Sequence, residues 1–90
     1  MNAAAYPNPF ENSIKIRYSI SQSADVNISV YNIYGSVVKT LSDKFEPAGQ
    51  YKTEWNGLND VGEKVSAGVY FYSIRAGKTV MSGKMVLMPK

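Results

Sequence analysis

Ninety residues make one domain, and at 9.9 kDa the surface scaling predicts about 5,200 Å² exposed when folded against about 14,400 Å² unfolded. The chain has no histidine and no cysteine, which excludes Ser–His and Cys–His nucleophilic pairs, thiolate metal sites and disulfides. Ten Lys/Arg against seven Asp/Glu give a net charge of +3 without a basic stripe, and no apolar run approaches the ~20 residues of a membrane helix, so neither a nucleic-acid partner nor stable membrane insertion is expected.

The first residues, MNAAAY, lack the basic and apolar regions of a signal peptide. Residues 1–5 read as a lead, either an expression start or a linker, ahead of a single domain at 6–90. In Tyr6-Pro7-Asn8-Pro9-Phe10, two prolines fix φ and remove two donors, which predicts a stiff extended segment. Its aromatics are expected to fold over the edge of the domain. Ile14, Ile16, Tyr18 and Ile20 then alternate with Lys15, Arg17 and Ser19, the period of a half-buried antiparallel strand.

Val26, Ile28 and Val30 repeat the alternation, with Asn27 and Ser29 assigned outward. Asn32 with Gly35 three residues later fits a type I turn leading into a bulge. The adjacent Val37 and Val38 break the alternation of the returning strand, which a bulge would accommodate. Ser42 to Gln50 reads as a loop punctuated by Pro47-Ala48-Gly49.

Tyr51, Thr53 and Trp55 alternate against Lys52 and Glu54 in the next strand. Asn56-Gly57 through Gly62 must turn, and Val69 to Ile74 has the β-branched and aromatic make-up of a mostly buried central strand. Ala76-Gly77-Lys78 makes a short hairpin, and Val80 to Met88 forms a last strand that Pro89 ends. Turn signals at this spacing with no convincing helix predict an all-β, immunoglobulin-like antiparallel β-sandwich of six or seven strands.

No motif carries chemistry, so the chain reads as a non-enzyme without cofactor or metal. Trp55, the only Trp, is a core residue on this reading rather than a stacking platform. The seven tyrosines are read as half-buried packing residues rather than a sugar-binding strip. Asn56, Asn59, Asp60 and Glu63 supply loop oxygens, but they lack the order of a calcium loop and include only two carboxylates.

Seven pieces in order carry a resemblance. They are Tyr6–Phe10, the Ile14–Tyr18 strand, Val30-Tyr31-Asn32 with Gly35, Val38 and Leu41, then Pro47-Ala48-Gly49, Trp55-Asn56-Gly57 with Gly62, Ala67–Tyr72, and Lys84–Leu87. Over about residues 6–90 the chain resembles the type A C-terminal sorting domain of type IX (Por) secretion, and the related immunoglobulin-like domain of flagellar hook-capping proteins. The resemblance implies a module that addresses a secreted parent protein, N-terminal to it, through an outer-membrane translocon, with cleavage by a sorting peptidase. It implies an extracellular or cell-surface destination after periplasmic transit. The recognised end maps to Lys84, Met85, Val86, Leu87 and Lys90, while Pro7, Pro9, Gly35, Gly49, Trp55, Gly57, Gly68 and Tyr70 become structural positions. The edge of the last strand offers strand addition to a partner. The alternative is a structural or carbohydrate-binding accessory sandwich of a secreted enzyme, which an exposed tyrosine strip would favour.

Overall fold

A computed structural model describes residues 2–89. Its strands are β1 (Asn2–Tyr6), β2 (Ile14–Ile20), β3 (Ala24–Tyr31), β4 (Val37–Glu46), β5 (Gly49–Trp55), β6 (Gly68–Ala76) and β7 (Thr79–Leu87). They form a three-stranded sheet ordered β1-β2-β5 and a four-stranded sheet ordered β4-β3-β6-β7. Every pairing between these strands is antiparallel. The result is the immunoglobulin-like sandwich expected from the alternation of apolar and polar residues.

The alternation decides which side chains meet between the sheets. Ile14, Ile16, Tyr18 and Ile20 from β2 face Val26, Ile28 and Val30 from β3 and Tyr70, Tyr72 and Ile74 from β6, and all are buried. Trp55 is fully buried beneath them, edge-on to Phe10 at 5.6 Å and to Tyr70 at 5.1 Å between ring centroids. Its indole N–H donates to the Leu58 carbonyl at 2.9 Å, so the one polar atom of the ring is satisfied. Strands β5 and β6 belong to different sheets, and the loop between them carries the chain across the core.

Two expectations need correcting. Residues 2–5 are not a lead outside the domain: with Tyr6 they pair with Lys15–Ser19 as β1, and Ala3 and Ala5 pack on the core. Small alanines gave no alternation to read, yet they suit an edge strand that needs only backbone partners. Likewise Ser42–Glu46, assigned to a loop, extends β4 along Ala24–Ile28. That stretch is polar because it is an edge, and only Glu46 at its end is buried. Ser29 points outward with Asn27, as the alternation predicts, but is buried on the outer face of the four-stranded sheet, where its hydroxyl donates to Asn27 Oδ1 at 2.9 Å.

The bulge expected near Val37-Val38 is present, and there are two. Register shifts fall opposite Ile28/Ser29 and Val30/Tyr31, leaving Leu41 and Val38 as the extra residues of β4. The turn before them closes with the Gly35 N–H on the Asn32 carbonyl at 3.0 Å, and Gly35 has φ 81°, where a Cβ would be strained.

Candidate functional site

The implied recognition segment lies on β7, at one edge of the four-stranded sheet. Side chains alternate along it, so its positions divide in two. Met85 and Leu87 point into the core and are buried, whereas Lys84 is exposed and Val86 half-buried on the outer face. Lys90 lies outside the described residues. On the folded domain, Lys84 and Val86 can touch a partner through their side chains; Met85 and Leu87 cannot.

The backbone of this stretch is already engaged. Asn8 spans two positions of β7 with its amide: Nδ2 donates to the Lys84 carbonyl at 2.9 Å, and Oδ1 accepts from the Val86 N–H at 3.0 Å. Two residues on, the Phe10 N–H donates to the Val86 carbonyl at 2.9 Å and the Phe10 carbonyl accepts from the Met88 N–H at 2.8 Å. Phe10 thereby pairs in parallel with Leu87. Pro7 and Pro9, with no N–H of their own, flank Asn8, and both X–Pro bonds are cis. The Tyr6–Phe10 segment thus acts as a strand substitute along the end of β7. The edge anticipated as free from Lys84 onward is covered from the Lys84 carbonyl to Met88.

Toward the hairpin the same edge has no hydrogen-bonded neighbour, although β1 of the other sheet approaches β7. Successive strand residues direct their N–H and C=O groups to opposite sides, and Val86 and the Lys84 carbonyl point away from β6. The register of β6 with β7 runs unbroken from Gly68–Leu87 to Ala76–Thr79. Val80 and Ser82 therefore point outward as well, with the Lys84 N–H, and among the described residues none of these groups meets a protein partner.

Several of the other structural positions lie at this end of the molecule. Gly57, at φ 76°, lies where a Cβ would come 3.6 Å from Leu87 Cδ2. Gly68 opens β6 opposite Leu87, and the Tyr70 hydroxyl donates to the Ser66 carbonyl at 2.6 Å. A shallow groove of about 290 Å³ runs between Gly57, Lys64, Val65 and Ala67 on one side and Leu87, Met88 and Pro89 on the other. Gly49 and Gly35 lie elsewhere, at the start of β5 and in the β3–β4 turn.

Two side chains of the 56–63 loop use an oxygen on their own chain. Asn59 Oδ1 accepts from the Val61 and Glu63 N–H groups at 3.1 and 2.9 Å. Asp60 Oδ1 accepts from the Thr40 N–H at 3.1 Å, while the Asp60 N–H reaches the carbonyl of bulged Val38 at 3.1 Å. The loop is a strut against β4. The tyrosines make no continuous exposed strip: Tyr18, Tyr70 and Tyr72 are buried, Tyr6 ends β1, and the far more exposed Tyr34 tips the turn of the other sheet.

Sequence reasoning missed Asn8. Its neighbouring prolines stiffen the segment and also supply no N–H, so the Asn8 side-chain amide makes the bonds to β7 that a strand backbone would make. The signal available was an Asn between two donor-less residues.

The crystal structure of dimeric latent PorU from Porphyromonas gingivalis superposes with a TM-score of 0.72 at 19% identity, over 98% of this chain and 9% of that one. The chain therefore spans under a tenth of the PorU chain, and the likeness is one of fold. No curated protein matches the sequence. The model of the secretion system C-terminal sorting domain matches residues 4–88, which includes most of β1, the Asn8 clamp and all of β7. The chain belongs to the family of secretion system C-terminal sorting domains, the non-catalytic signal modules of type IX secretion.

Proposed function

We propose that this domain delivers a parent protein, joined at its N-terminal side, to the outer-membrane translocon of type IX secretion through the outer face and end of β7. The parent crosses the periplasm first, and a sorting peptidase removes the domain as the parent is released or anchored at the surface. The observation that carries this reading is the division along the last strand. Met85 and Leu87 fasten it to the core, while Lys84, Val86 and Met88 remain accessible beside the groove at its end. A folded signal needs that combination of anchorage and exposure.

The test is export of a fluorescent reporter, carrying a signal peptide and fused to residues 2–90, from a type IX-competent bacterium. Ending the fusion at Gly83 removes the segment but also takes Met85 and Leu87 from the core. The double substitution Val86→Lys with Met88→Lys spares the core and is the cleaner arm. Reporter at the surface or in the medium for the parent fusion, with both altered forms retained in the periplasm, is the expected outcome. Equal export of the folded double variant would overturn the assignment to this strand. Periplasmic retention of every form would favour the accessory-module reading.

A further inference from the structure

Of the two edges of the four-stranded sheet, one is defended. Strand β4 breaks register twice and carries Lys39, Asp43 and Lys44, the devices that keep an edge from pairing with other chains. Strand β7 has no register shift, charge or proline between Thr79 and Gly83. Its outward backbone groups at Val80, Ser82 and the Lys84 N–H form a template for about five residues of a further strand. The Asn8 clamp bounds that template at one end and the Gly77 hairpin at the other.

The charge carried by β6 and β7 themselves has one sign, although Asp25 of β3 adjoins the Gly77 hairpin. Residues 64–90 contain five of the ten Lys/Arg and none of the seven Asp/Glu. Lys78 and Lys84 flank the open stretch, and Arg75 stands directly across from Val80 on the same face. Strand β1, which runs along the same flank of the sandwich, carries no carboxylate either. A strand added here would place its side chains beside these cations, where opposite charge favours pairing and like charge opposes it.

We infer that the Val80–Lys84 edge is a docking site for an extended, acidic segment of a partner protein, which joins the sheet as a fifth strand beside β7. Main-chain hydrogen bonds supply the affinity, and Arg75, Lys78 and Lys84 select carboxylates. The inference deepens the proposed function, because it names the chemistry of the partner surface that would read the last strand.

A terminally blocked heptapeptide alternating valine and glutamate serves as the probe, with a valine–lysine peptide as its counterpart. Binding is followed by amide shifts and exchange on the isotope-labelled domain. The acidic peptide should slow exchange at Val80, Ser82 and Lys84 saturably, and bind at least fivefold more tightly than the basic one at low salt. Ser82→Pro removes an N–H that points away from β6, a position where an edge strand tolerates proline, and should abolish binding while the circular dichroism stays unchanged. Val80→Pro replaces it if that variant unfolds.

Protection on β1 or β4 instead, equal binding of the two peptides, or no binding would each overturn the inference. In the export assay, normal export of the proline variant beside a retained Val86→Lys/Met88→Lys form would overturn the edge site yet leave the sorting reading standing. Normal export of both would remove β7 from sorting altogether.

Discussion

The Tyr18 hydroxyl donates to Glu46 Oε1 at 2.6 Å inside the sandwich, with the Tyr51 ring stacked alongside at 5.5 Å. Burial, followed by the neighbouring carboxylate, raises the Tyr18 phenol well above its ordinary value of 10.0. Burial alone raises Tyr70 and Tyr72. A pKa higher in the folded than in the unfolded chain means that these groups contribute full stability below about pH 10 and lose it as pH climbs toward their folded values. Denaturant midpoints should therefore be insensitive to these phenols at neutral pH and fall above pH 10. Ionisation of all three at or below pH 10 with the fold intact, followed by ultraviolet absorbance, would contradict this. Tyr18→Phe leaves the buried Glu46 carboxylate without its donor and should cost about 1–3 kcal/mol in equilibrium unfolding. Neither partner betrays the pair in sequence, because 28 residues separate them and Glu46 sits in a polar run.

At the scale of elements, two contacts decide how β7 is held. A Cβ on Gly83 would lie 2.5 Å from the Tyr72 ring, which is itself buried. Gly83→Ala is therefore expected to destabilise by about 1–3 kcal/mol through overpacking, read as a lower melting temperature. Asn8→Ala removes both amide bonds to β7 and should cost about 1–2 kcal/mol, with faster exchange at Val86 the specific sign of it. Unaltered Val86 exchange in that variant would show that the clamp does not hold the strand. Strands with a clear period of two, β2, β3 and β5, were legible from alternation alone. The edges were not. The alanines of β1 and the polar end of β4 are strands because neighbours supply hydrogen-bond partners, and neither propensity nor period records that.

Over the whole molecule, a sandwich measuring 39 × 22 × 20 Å exposes 5,505 Å², close to the surface expected from its mass. With so little interior, one aromatic cluster carries much of the stability. Trp55→Ala empties the centre between Phe10 and Tyr70 and should cost about 3–5 kcal/mol, a large part of the 5–15 kcal/mol typical of a domain. A cooperative transition lowered by less than 1 kcal/mol in urea would show that this centre is not what joins the sheets. Fold class and family were readable because they rest on patterns spread over the whole chain. The site was half readable: the residues of β7 could be named, but which face the core and which meet solvent depends on the sheet to which they belong. The covering of its end depends on Asn8, 78 residues away.

On its outer edge, strand β7 is hydrogen-bonded along its end and unpaired near its hairpin, and residue-resolved amide hydrogen exchange on residues 2–90 reads both halves at once. Val86 and Met88 should be protected together with the β6-directed amides of Met81, Gly83 and Met85, while Val80, Ser82 and Lys84 exchange at rates near those of exposed loops. Fast exchange at Val86 and Met88, or protection at Ser82 in the isolated domain, would contradict it.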